Sequence, residues 1–165
     1  MKIRNLLTGV AIICLLSALS GCSIIGGLFG DNRDPDGQVT GAGNVDAFSL
    51  RVGDCLISSE LEDSFSEVPA VPCNEPHDSE IIYVFDMPGE IYNEEEISDA
   101  ADDACLAEVA NYIGPDWESL TSEGLEVSYF SPGRESWSNG DREVDCIIYT
   151  ISGENELTSS VKGMG

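Results

Sequence analysis

Any chemistry this chain performs must come from one histidine, scattered serines and many acids. His77 is the only histidine. It sits in VPCNEPHDSE, residues 71–80, where Asp78 and Glu80 could share a metal ion or a proton with it. A zinc site built on one histidine would depend on carboxylates for its other ligands, and no H-E-x-x-H pair exists. A serine nucleophile needs a positioned base, but no serine occupies a G-x-S-x-G turn and His77 has no marked partner. Paired carboxylates that cleave glycosidic bonds could lie anywhere among 31 acids, so their abundance singles out no pair. The residues therefore point to no catalytic centre, no metal and no cofactor. His77 reads as a structural group that bonds a backbone carbonyl or a carboxylate and stiffens its loop, with ligand recognition as the alternative.

A second constellation lies in SPGRESWSNGDR, residues 131–142. Arg134 and Arg142 flank Trp137, and Asp141 adjoins Arg142. Tryptophan and arginine tend to carry binding energy at interfaces. His77, Arg134, Trp137, Asp141 and Arg142 are thus the candidate recognition surface. In the structural alternative, Trp137 covers the core while Asp141 and Arg142 pair to hold the turn.

The elements that must position these groups follow from pattern. Pro72 and Pro76 hold the chain extended around Cys73. EIIYVF, residues 80–85, is apolar on both faces and predicts a central strand covered on both sides. Residues 68–71, broken by Pro69, predict an edge strand at best. Asn93 to Ile113 predicts the main helix, with Asn93 as cap, Glu94, Glu95 and Glu96 in the first turn, and Gly114-Pro115 as the stop. Its apolar face is Ile97, Ala101, Ala104, Cys105, Leu106, Val109 and Tyr112. Trp117 and Leu120 predict a short helical turn, residues 125–130 a strand, and residues 131–140 a loop. DREVDCIIYTI, residues 141–151, predicts a half-buried strand with Val144, Cys146 and Ile148 inward and Glu143 and Asp145 outward. Residues 157–162 could add a short last strand. The fold class is α+β: a small antiparallel or mixed sheet with one main helix packed on it.

The N-terminus carries a different message. Lys2 and Arg4 precede an apolar run from Leu6 to Leu19, and Leu19-Ser20-Gly21-Cys22 resembles the lipobox of bacterial lipoprotein precursors. That resemblance implies a signal peptide over residues 1–21, with Cys22 receiving a diacylglycerol and becoming the new N-terminus. Two acyl chains hold a protein stably at a membrane. Residues 22–45 are Gly-rich and read as a flexible tether. Within them, NRDPDG at 32–37 echoes a calcium loop, but its twelfth position is Gly43, where a bidentate glutamate is required. The folded domain is expected over residues 46–165.

Charge narrows the partners. The whole chain has a formal charge of −24, and two of its seven cations lie in the signal. Nucleic acid is excluded as a partner. The acidity fits solubility in a crowded envelope, or binding of divalent cations. Beyond Cys14 and Cys22, four cysteines remain, none in C-x-x-C spacing. In an exported chain they read as two disulfides with three possible connectivities. Cys55–Cys73 would close a short loop between strand-like segments, and Cys105–Cys146 would tie the helix to a later strand; these pairings are preferred.

The order of VGDCL at 52–56, VPCNEPHDSEIIYVFDMP at 71–88, Cys105 in the helix, W-x-x-GDR-x-V-x-C from Trp137 to Cys146 and LTSSVKG at 157–163 resembles the septum formation family of actinobacterial exported proteins. The resemblance spans about residues 46–164. It implies an extracytoplasmic domain with a loose link to cell division, and it carries over no catalytic residue. The expectation is a non-catalytic binding or scaffold domain, anchored by lipid on the extracytoplasmic face of the cell membrane. Its partner would be an unknown envelope or division protein. The alternatives are a cell-wall hydrolase and an acidic cation-binding sensor.

Overall fold

The computed structural model describes residues 32–61, 64–121, 124–151 and 156–165. Cys22 and the whole signal peptide lie outside them. Among these residues six strands form one antiparallel sheet in the order β1-β3-β2-β4-β6-β5. They are β1 (Gly43–Asp46), β2 (Cys55–Leu56), β3 (Glu67–Val71), β4 (Ser79–Asp86), β5 (Leu125–Phe130) and β6 (Glu143–Thr150). The α-helices among the described residues are α1 (Glu94–Tyr112), α2 (Trp117–Thr121) and α3 (Arg134–Ser138). No helix among the described residues is long and apolar enough to cross a membrane.

The main helix forms where its pattern places it. The Asn93 side chain accepts from the Glu96 N–H, satisfying one orphan donor of the first turn, where three glutamates also meet the positive end of the dipole. Ile97, Ala101, Cys105 and Val109, spaced four apart, are buried against the sheet. Leu106, expected on that face, is exposed, because the buried stripe is one residue wide. Gly114 adopts φ +129° and ends the helix. A Cβ at Gly114 would lie 1.8 Å from the Gly165 carbonyl oxygen, so glycine is required for the C-terminal segment to seat there. Gly163 and Gly165 donate to the carbonyls of Tyr112 and Ile113, satisfying acceptors that the helix end leaves free.

β4 is central, as its two apolar faces require. Ile82 and Tyr83 oppose one step of β6 in a bulge, so both turn toward α1. That side packs Ile82, Cys146 and Ile148 on Val109 and Ile113. The other side packs Ile81 and Ile147 with Leu56, Val68 and Ala70. Phe65, just before β3, meets Phe130 of β5 edge to face at 5.0 Å. The sheet therefore curls until its two ends approach across the face away from α1.

Both preferred disulfides form. Cys55–Cys73 and Cys105–Cys146 have Cα separations of 5.2 and 5.3 Å. The second joins α1 to β6, on the face where Cys105 and Cys146 were both expected to point.

Four expectations need correction. Residues 32–45 are part of the fold and not a free tether: Arg33 bridges to Val39, and β1 pairs with β3. The Asp34 carboxylate accepts from the Asp36 and Gln38 N–H groups, which makes the NRDPDG segment a turn. β3 is an internal strand despite Pro69. Pro69 accepts from the Ile57 N–H but has no N–H to return, and β2 stops at Leu56, where that bond would be needed. Residues 131–140 contain α3 instead of a continuous loop. The expected last strand is a single bridge, Leu157 to His77.

Candidate functional site

The two ends of β4 carry different constellations. His77 precedes the start of β4 and is 2 % exposed. Its Nδ1 lies 2.7 Å from the Glu75 carbonyl. A carbonyl only accepts, so Nδ1 carries the hydrogen and the loop is stiffened as expected. Nε2 is buried and has no hydrogen-bond partner among the described residues. One ring nitrogen of His77, a Glu80 oxygen and Cys55 Sγ lie within 4.8 Å of one another. The trio has the spacing of a metal site, but two of its three members are already committed. Cys55 is spent in a disulfide, and buried Glu80 accepts from Tyr112 Oη and Ser160 Oγ, both at 2.6 Å, and from the Val161 N–H at 2.7 Å. Glu80 is a clasp: it binds α1 and the C-terminal segment to the central strand. Burial, then the bond to the Glu80 carboxylate, raises the Tyr112 pKa.

Two other buried acids have equally structural partners. Asp54 takes a two-pronged contact from Arg33 at 2.6 and 2.7 Å, plus the Arg51 N–H at 2.9 Å. The same guanidinium donates to the Gly37 and Ser49 carbonyls, so this pair pins residues 33–37 to the turn before β2. Burial pushes the Asp78 carboxyl up, but donors from Ser59 and Ser58 outweigh it and hold the group below its ordinary value.

At the far end of β4, Trp137 is buried and its indole N–H donates to the Glu90 carbonyl. Arg142 lies 3.9 Å from the Trp137 ring centroid and donates to the carbonyls of Gly89, Trp137 and Asp141. Arg134 is exposed, stacked over Tyr92 at 4.7 Å. The Asp141 carboxylate accepts from the Glu143 N–H, while the Arg142 guanidinium is engaged by the three carbonyls and the indole ring. His77 and the Trp137 turn are separated by the eight residues of β4, roughly 26 Å at 3.3 Å per residue. They are not one surface, and His77 and Trp137 are not exposed. Trp137 covers the core, which was the structural alternative.

The feature the sequence reading missed is a cavity of about 280 Å³ on the sheet face away from α1. Asp145 forms part of its lining with Glu143, Asp141 and Glu135, beside Phe48, Phe65 and Phe130. Glu143 and Asp145 were expected on a solvated face. The curled sheet instead buries Asp145 to 5 % exposure. Burial first, then the charges of Glu143, Asp141 and Asp54, raise its pKa to about 8. Burial, then Asp86 and Asp141, also raises that of Glu143. One signal was available: Ile147 and Tyr149 share the alternation of Glu143 and Asp145, so that face could not be purely polar.

The sequence profile of the septum formation family matches residues 30–146. The chain belongs to the septum formation family. Membership links it to septum formation, and the match starts at the edge of the Arg33 segment that the structure places in the fold. No curated protein and no solved structure matches the chain.

Proposed function

We propose that this septum formation protein is a lipid-anchored, extracytoplasmic binding or scaffold domain that acts through contacts at the envelope and catalyses no reaction. The observation that carries the reading is the commitment of the conspicuous polar groups around His77: Glu80, Asp54 and Asp78 each spend their oxygens on donors of the fold. Two disulfides suit an oxidising compartment outside the cytoplasm. The lipobox supplies attachment through Cys22.

The test is genetic and biochemical. Deleting residues 46–165 is expected to disturb septum placement, and crosslinking of the anchored protein is expected to recover an envelope or division protein. Normal septa together with an empty crosslink would overturn the reading. Cys22→Ser should move the protein from the membrane to the soluble fraction; continued membrane attachment would remove the lipid anchor from the account. A hydrolase is the second reading, favoured by Asp145, an acid kept protonated in a cavity beside Glu143. It requires turnover of purified muropeptides that Asp145→Asn abolishes.

A further inference from the structure

We propose that the acidic cavity receives a lysine ammonium or arginine guanidinium presented by a partner polypeptide. The proposal rests on the binding reading above and gives it a site and a partner chemistry.

Four observations carry it. Asp145 is 5 % exposed, and its Oδ1 is buried with no hydrogen-bond partner among the described residues; Glu143 Oε1 is in the same condition. Buried carboxylate oxygens are seldom left without donors, so two at one cavity mark a place where donors arrive from outside. Next, no lysine, arginine or histidine is among the described residues lining the cavity. Arg142, close in sequence, is held by the Trp137 ring and three carbonyls. Third, the arrangement does not suit a bare metal ion. Among the described residues, the trio around His77 is the one group of three or more ligand atoms close enough to share an ion, and the cavity carboxylates are not in it. Last, Phe48, Phe65 and Phe130 stand beside the acids. Phenyl faces accept the methylene stem of a long cationic side chain and attract its head. A hydrated inorganic ion gains nothing from them. Phe48 is 57 % exposed, so it is within reach of an approaching protein.

Binding exchanges one proton. Asp145 holds its proton at neutral pH; the O–H bond breaks, the proton leaves to solvent, and an N–H of the incoming cation takes its place on the carboxylate. Lysine and arginine keep their own charge throughout this range. The charges facing Asp145 are Glu143 and Asp141 on its own side, Asp54 from the turn before β2 and Glu135 from α3. All are acids; Glu143, Asp141 and Glu135 line the cavity and favour the cation, while Asp54 is already paired with Arg33. Affinity should therefore climb by up to about tenfold per pH unit below pH 8 and level off above it.

The test uses the full chain, purified in detergent, with N-acetyl-Gly-Lys-Gly-amide and its arginine counterpart as probes. NMR should show shifts at residues 130 and 143–145, tighter binding at pH 8 than at pH 7, and no response to the peptide with an acetylated lysine. Asp145→Asn and Glu143→Gln should each weaken binding by about tenfold or more, as expected for loss of a charge-assisted contact. Phe48→Ala, at an exposed rim position, should weaken it without disturbing the fold. Silence with both cationic peptides, equal binding by Glu143→Gln and Phe48→Ala, calcium shifting the same resonances in place of the peptides, or preference for a soluble muropeptide would each overturn the proposal. The division role is scored separately in the deletion strain, so either idea can fail without the other.

Discussion

Asp145→Asn should change how stability depends on pH, and the change can be worked from the structure. The carboxyl titrates near 3.8 in an unfolded chain and at about 8 in the fold. Between those values the folded state holds a proton that the unfolded state has released. Stability therefore falls as pH rises, by up to about 1.4 kcal/mol per pH unit. From pH 5 to pH 7 that is about 2.7 kcal/mol, a large part of a typical domain's net stability. Glu143, whose pKa is also raised, adds a smaller effect of the same sign. Asp78 works in the opposite sense: its lowered pKa contributes stability that is lost only as pH falls below its ordinary value of 3.8, outside this window. Urea unfolding of the oxidised protein, followed by tryptophan fluorescence at pH 5, 6, 7 and 8, measures the slope. Wild type should show it, and Asp145→Asn should keep only the part due to Glu143. A flat wild-type profile, or an unchanged slope in the variant, would refute the burial argument for Asp145.

Removal of the disulfides should separate by loop length. With sequence separations of 18 and 41 residues, Cys55–Cys73 and Cys105–Cys146 should contribute about 3 and about 4 kcal/mol on the chain-entropy account, measured by unfolding of the paired Cys→Ser variants. Arg33→Met leaves the Asp54 charge buried without its partner and should cost about 3–5 kcal/mol, as should truncation of residues 1–45; thermal melts of both check this. Gly114→Ala forces a side chain into an unfavourable φ and against the Gly165 carbonyl. It should release residues 160–165, seen as faster amide exchange at Gly163 and Gly165, and the unfavourable φ should itself cost about 1–3 kcal/mol.

The readable parts of the fold were those governed by local pattern. Glu94–Tyr112, Leu125–Phe130 and Ser79–Asp86 formed where periodicity, capping and β-branched content placed them. Of the three possible cysteine connectivities, the preferred one forms, with one cysteine on the buried helix face meeting one on the inward strand face. The candidate site was less legible. His77 drew attention through its rarity, yet its ring is buried and bonded to its own loop. Arg33 looked like a tether residue because its partner, Asp54, lies 21 positions away. Pro69 suggested an edge because an edge is where a missing N–H usually does no harm; here the neighbouring strand simply ends at that point.

By itself, the order of residues placed the main helix and the strands at 79–86, 125–130 and 143–150, counted the acids and the four cysteines, and carried the resemblance to a lipobox, since each depends on near neighbours or on counts. The cavity around Asp145 was decided only in three dimensions. Alternation along β6 places Asp145 on the face away from Cys146, but it cannot say whether that face meets water. The answer came from the curl of the sheet, which brings Phe65 from one end against Phe130 at the other and leaves Asp145 buried at the cavity between them. An ordinary surface aspartate thereby becomes a buried carboxyl whose proton a cation can displace.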